Sequence, residues 1–253
     1  MGGNERVQAI FADVTTALWD IMKKHDVTWD EYRAATAWLT EAGNQGYEIP
    51  LMMDVFLSVT VDNINFPANG GTESNVEGPF YIPEAPLLDR PYVLPRRDDE
   101  PGDTLVFSGS VCSTEGSPLA GALLDVWQCN GIGEYSHFHP GVPEYNLRGR
   151  LVTDDSGRYE FQTVVPSPYE IPKAGATGKL LTALGRHAFR PAHIHFKLSQ
   201  AGFRPRTTQI YFEDDPWLDS DVVEAVKPEL VIKLERNGNS ALGTYDFVLQ
   251  PAA

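Results

Sequence analysis

Arg190-Pro191-Ala192-His193-Ile194-His195-Phe196-Lys197-Leu198-Ser199 is the stretch on which the reading of this chain turns. It has the texture of a β-strand, in which residues i and i+2 share a face. His193 and His195 can therefore reach one ion while Ile194 and Phe196 turn to the opposite side. With the Arg190 guanidinium beside them, these are parts for a metal site with an attached anion stabiliser. A His-x-His pair by itself is more often a hydrogen-bonded or half-exposed pair. Upstream, Tyr135 in GIGEYSHF and Tyr169 in VVPSPYEIP each stand in a Gly- or Pro-marked turn, where they could supply phenolate oxygens.

Outward from this segment, the chain from about residue 75 is a series of short alternating or β-branched runs separated by Gly, Pro, Asn and Asp. Strands are predicted at 104–111, 122–128, 158–164, 193–199, 209–212, 230–234 and 245–250. Residues 79–102 carry six prolines. That stretch is too interrupted for a strand or helix interior and is predicted as an extended wrap. Residues 1 to about 66 read as helices. Val7, Ile10, Phe11, Val14, Leu18 and Ile21 repeat at three- and four-residue intervals and give one apolar face. Thr28-Trp29-Asp30-Glu31 has capping-box spacing ahead of a second helix that should stop at Gly43. Pro50 suits the first turn of a third, LMMDVFLSVTVDNI.

The chain has 253 residues, 42% of them hydrophobic, enough for one sizeable core and a smaller attached layer. No apolar run approaches the roughly 18 residues of a membrane span, and the N-terminal sequence lacks the apolar stretch of a secretory signal. Cytoplasmic localisation without membrane attachment is the expectation. A formal charge of −15 opposes binding to phosphate backbones or anionic membranes, so nucleic acid is not an expected partner. Cys112 and Cys129 have neither CxxC spacing nor disulfide-scaffold density and are expected to be reduced and buried.

NVEGPFYIPEAP (75–86), GALLDVWQCNGIGEYS (121–136), RGRLVTDDSGRYEFQTVVPSPYEIPKAGATG (148–178), LGRHAFRPAHIHFKLS (184–199) and TTQIYFEDDPWLDSD (207–221) together resemble the intradiol ring-cleaving dioxygenases, in particular their chlorocatechol 1,2-dioxygenase branch. The resemblance implies a mainly β fold, an antiparallel β-sandwich at 75–253, preceded by a helical dimerisation layer at 1–74. It implies a mononuclear non-haem Fe(3+) held by Tyr135, Tyr169, His193 and His195. Phenolate is a hard anionic donor suited to a hard ferric ion, whereas soft thiolates favour other metals. It further implies that Tyr169 accepts a substrate proton, and that Arg190 and Gln209 act on the developing anion. Arg186 in LGRH competes for the role of Arg190, and His137-x-His139, followed at once by Pro140-Gly141, reads as loop surface or as support behind the site.

The family's specificity positions fall here on Leu51, Asp54, Val55, Val76, Gly78, Phe80 and Val223. They describe a small apolar slot with one carboxylate, suited to a planar ring bearing chlorine or methyl. Relatives often carry Cys or Ala at the position of Val223, so the bulkier side chain should narrow the slot. The implied reaction is O2-dependent cleavage of catechol and chloro- or methyl-substituted catechols to cis,cis-muconates. Homodimers joined through the N-terminal helices, with a phospholipid at the interface, are also implied. Hydroxyquinol cleavage is the alternative activity, and a transthyretin- or immunoglobulin-like binding module is the non-enzymatic alternative. A cupin-like oxygenase is disfavoured, because Leu198-Ser199-Gln200 stands where its Glu is wanted and no His follows His195.

Overall fold

A computed structural model describes residues 3–252 of the chain. It divides into two compact units, residues up to Ile49 and residues from Pro50 onward. The first holds α1 (Glu5–Lys24) and α2 (Trp29–Asn44). Asn4 caps α1 by accepting from Val7 N at 3.1 Å. The capping box of α2 closes from both sides: Glu31 N donates to Thr28 Oγ1 at 3.3 Å and Thr28 N to Glu31 Oε2 at 2.8 Å. The left-handed glycine beyond α2 is Gly46, at φ 64°, rather than Gly43. The apolar stripe of α1 lies at the surface, with Val7, Ile10, Phe11, Val14, Leu18 and Ile21 each at least half exposed. Among the described residues no helix is long and apolar enough to cross a membrane.

The single third helix predicted after Pro50 is two, α3 (Glu48–Phe56) and α4 (Ser58–Asn65). They part at Leu57, whose φ of −130° leaves the helical range, and the Ser58 hydroxyl donates back to Asp54 O at 2.6 Å. The chain then continues through β1 (Tyr92–Val93), β2 (Thr104–Ser113), β3 (Leu123–Trp127), β4 (Arg148–Val152), β5 (Arg158–Val164) and β6 (Tyr169–Glu170). A helix that the sequence pattern did not disclose, α5 (Ala176–Ala183), follows. After it come β7 (Phe189–Arg190), β8 (His193–Ser199), β9 (Arg206–Phe212), β10 (Val231–Ile232), β11 (Glu235–Asn237), β12 (Ser240–Thr244) and β13 (Phe247–Leu249).

One sheet runs β1-β5-β2-β12-β11, with β13 pairing β2 beyond β12; the other runs β10-β9-β8-β3-β4. The two share a core in which Phe107 of β2 and Phe161 of β5 meet Phe196 of β8 at centroid distances of 5.4 and 6.1 Å. Ile194, Leu198, Leu124 and Val126 complete it from the second sheet. The expectation of purely antiparallel sheets is corrected here: both sheets are mixed. β1 runs parallel to β5, β12 and β13 parallel to β2, and β10 parallel to β9. Only neighbours joined by a tight turn are obliged to be antiparallel, and these partners are far apart in sequence. The proline-rich wrap keeps to sheet edges, where a missing N–H is tolerated. Leu88 N bonds Arg150 O of β4 at 2.8 Å, and Leu94 N bonds Gln162 O of β5 at 2.9 Å, so one strap spans the rims of both sheets.

Candidate metal centre

β8 sends Ile194 and Phe196 into the core and His193 and His195 to the other face, both 1% exposed. Antiparallel pairing then lines up one rung across the second sheet: Arg148 opposite Trp127, Trp127 opposite His195, His195 opposite Gln209. Residues opposed in this way share a face. Trp127 stacks flat on His195, centroids 4.5 Å apart and planes at 7°, which fixes that imidazole's orientation.

The two tyrosines arrive from different directions. Tyr169 lies in β6, opposite Arg190 of β7 in a two-residue ladder. Tyr135 is carried by a turn that Asn130 braces, its Oδ1 accepting from Ile132 N at 3.1 Å and Glu134 N at 2.9 Å. Gly133 is required there. Its φ is 86°, and a Cβ at that position would stand 2.9 Å from Tyr169 Cβ. Tyr135 N donates to His139 Nδ1 at 3.0 Å, so His139 sits behind the site as a support. Ring centroids separate by 5.4 Å for Tyr135 and Tyr169, 5.7 Å for Tyr169 and His193, and 4.7 Å for His193 and His195. Phe80 closes over Tyr135 at 4.6 Å.

The donor set fits a hard metal ion. His193 Nδ1 lies 2.7 Å from Pro191 O, the second partner that holds a ligating imidazole in one tautomer and leaves Nε2 free. The two Nε2 atoms face each other at 3.0 Å, the spacing of two imidazoles sharing one ion at about 2.1 Å and near a right angle. Among the described residues Tyr135 Oη and His195 Nδ1 are buried with no hydrogen-bond partner in good geometry, although buried polar groups are ordinarily bonded. Burial and the Arg190 charge push His193 down to about 3, and burial with His193 beside it pushes His195 well below its ordinary value. Both imidazoles are therefore neutral, as ligation requires. Burial pushes Tyr169 up to about 12 against the pull of Arg190, and pushes Tyr135 up as well. A cation between them would oppose that shift. Among the described residues no trio of His, Cys, Asp or Glu converges anywhere; two imidazoles and two phenols do so here.

Arg190 is 4% exposed and held as a fork. Its Nε and Nη2 donate to the two oxygens of Asp221 at 3.2 Å each, and Nη2 also reaches Gln209 Oε1 at 3.0 Å and Tyr211 Oη at 3.2 Å. Nη1 lies 3.4 Å from His193 Nε2. Burial alone would favour the neutral guanidine, but the Asp221 carboxylate holds Arg190 charged. Burial likewise opposes ionisation of Asp221, and Arg190 outweighs it. Gln209 is fixed in turn through Nε2 to Val76 O at 2.6 Å and by Tyr211 Oη, which donates to its Oε1 at 2.8 Å. Arg186, the sequence competitor, pairs instead with exposed Glu224 at 3.0 Å.

Leu51, Asp54, Val55, Val76, Gly78, Phe80 and Val223 line one cleft, and Tyr169, Arg190 and His195 form its floor. The remaining wall is Ser58, Pro79, Ile171 and Pro172, which the sequence did not single out. Asp54 is the carboxylate of this wall, and burial raises its pKa. Two further residues were missed. Tyr211 was detectable as the i+2 neighbour of Gln209 on one strand face, whereas nothing in LDSDVV marks Asp221 as the anchor of an arginine 31 residues away.

Residues 76–251 match the sequence family described as Dioxygenase, and residues 4–73 that described as Catechol dioxygenase N terminus. The chain is 44% identical over 254 residues to the chlorocatechol 1,2-dioxygenase of Rhodococcus opacus, covering 98% of each. The crystal structure of 3-chlorocatechol 1,2-dioxygenase from Rhodococcus opacus 1CP superposes with a TM-score of 0.93 at 43% identity, over 99% of this chain and 100% of that one. The structure of hydroxyquinol 1,2-dioxygenase from Pseudomonas putida DLL-E4 also reaches 0.93, at 33% identity, over 100% of this chain and 94% of that one.

Proposed function

The chain belongs to the intradiol catechol dioxygenases, and from that premise we propose that it cleaves catechol and its chloro- and methyl-substituted forms with O2 to cis,cis-muconates. It is an oxidoreductase that incorporates both atoms of dioxygen. The observation that carries the reading is the convergence of two phenols and two neutral imidazoles beside a buried, fork-held arginine.

Tyr135, Tyr169, His193 and His195 hold the ferric iron in this reading. When bound, the iron acidifies a catechol's hydroxyls and activates the catecholate ring toward O2. The other steps belong to the protein. Tyr169 Oη accepts a substrate proton, because it lies at the cleft floor with Arg190 to stabilise its anion. Leu51, Val55, Val76 and Phe80 clamp the ring and exclude water. Arg190, with Gln209 beside it, faces the negative charge that builds on the cleaving ring, and a guanidinium stays charged in such a desolvated place. Asp221 keeps it in position.

The test is oxygen uptake by iron-replete protein with catechol, 3- and 4-chlorocatechol, methylcatechols and hydroxyquinol, with product spectra. Uptake giving muconate spectra is expected, and no uptake with any diol would end the reading. Hydroxyquinol cleavage stands as the second reading. The likeness of fold is equal for both structures at TM-score 0.93, while identity favours the chlorocatechol enzyme, 43% against 33%. Asp54 is the feature that favours the alternative, since a partly buried carboxylate could accept a bond from a third hydroxyl.

Assembly falls to residues 1–74 and chemistry to 75–253 in this proposal, with α3 adding a wall to the cleft. The exposed stripe of α1 supports a homodimer formed through these helices, with a phospholipid in the apolar seam. Replacing Val14 and Leu18 by Asp is expected to halve the mass seen by light scattering, and a mass unchanged from the parent's would place the interface elsewhere. Phosphorus in an organic extract of the parent checks the lipid.

A further inference from the structure

A buried charge in the catalytic unit, Arg148, forms no salt bridge among the described residues. Arg148 is 1% exposed, and among the described residues its side chain bonds only Ser136. Nε donates to Ser136 Oγ at 2.6 Å and Nη2 to Ser136 O at 3.3 Å. Nη1 is buried with no hydrogen-bond partner among the described residues. Asp125, two rungs along the sheet on the same face, accepts from Tyr81 Oη at 3.0 Å and attracts the Arg148 guanidinium without forming a salt bridge to it. A desolvated cation with no carboxylate in direct contact is unfavourable, and further negative charge beside it is stabilising. The guanidinium carbon lies 5.8 Å from the centroid of the Tyr135 ring. Ser136, which grips the guanidinium, is the next residue along from Tyr135. On the sheet Arg148 shares its rung with Trp127 and His195.

We propose that Arg148 is a positioning residue for the metal centre, its buried guanidinium acting as the counter-charge of the Tyr135 phenolate and setting the energy of that phenolate's charge transfer to ferric iron. The inference rests on the reading of Tyr135 as an iron ligand. A fixed cation beside a phenolate lowers the energy of its electrons, and the effect is large where water is excluded.

The visible spectrum reads this directly, without turnover. Iron-loaded parent, Arg148→Met, Arg148→Lys and Ser136→Ala are compared for band position, iron per chain and rate of iron loss to a chelator. Arg148→Met should move the tyrosinate band to longer wavelength and speed iron loss about 10- to 100-fold, the range for lost support around a metal ligand. Arg148→Lys, which keeps the charge, and Ser136→Ala, which removes only a hydrogen bond, should leave the band at the parent's position. If Arg148→Met fails to fold, Arg148→Gln carries the same test, since it can still bond Ser136 without a charge. An unmoved band in the neutral variant, or equal shifts in the neutral and lysine variants, overturns the proposal. A parent without any visible band fails the iron assignment itself, which separates that failure from this one.

Discussion

Replacing His195 by alanine is expected to abolish both iron retention and the visible colour of the protein. The imidazole is pinned by the stack of Trp127 on one side and faces His193 Nε2 at 3.0 Å on the other. Removing a group that merely supports a metal ligand lowers affinity by about 10- to 100-fold, and loss of the ligand itself should exceed that. The fold should survive, because His195 faces away from the Phe107–Phe161–Phe196 core. Iron per chain, the visible spectrum and a thermal melt check the expectation together. Full iron and colour in a folded His195→Ala protein would remove this residue from the ligand set.

The second large effect concerns Arg190 and its anchor, and the two halves of the pair should fail differently. Arg190→Lys keeps a positive charge but loses the planar fork that bonds Asp221, Gln209 and Tyr211 at once. Turnover should fall by about 10²- to 10³-fold, the range for losing one donor aimed at a developing anion, with iron content unchanged. Asp221→Ala instead leaves a buried guanidinium unpaired, since Arg190 and Asp221 are 4% and 1% exposed at their side chains. Breaking such a pair costs about 3–5 kcal/mol of stability. A lowered melting temperature should therefore accompany its loss of activity. Parent-like turnover in Arg190→Lys would pass the anion-stabilising role to another donor, and Arg186 is tied instead to Glu224 and Val222 O.

Much of the site was legible in one dimension because its parts obey short-range rules. The alternation of β8 put His193 and His195 on one face with no knowledge of the partner strands. The capping box of α2 is likewise a contact across three residues, and it formed as read. The positions of Tyr135, Tyr169, Arg190, Gln209 and the cleft residues came from matching segments of a family pattern. Spacing and composition alone could not have picked two tyrosines out of ten.

What the sequence by itself determined is local: the runs that form β2, β3, β5, β8 and β9, and which face of β8 is polar, whereas β4 (Arg148–Val152) and β12 (Ser240–Thr244) were not read from it. Only the tertiary structure decided strand direction, because β2 meets β12 and β13 across more than a hundred residues with no hairpin to set their sense. Tertiary structure alone also gave Arg190 its carboxylate, 31 residues away. It set Trp127 against His195 through the pairing of β3 with β8, and it left Arg148 buried beside Tyr135 with no salt bridge among the described residues. Periodicity reports the surroundings of a residue along its own element. The partner of a buried charge is chosen by packing between elements, and that choice leaves no mark on local spacing.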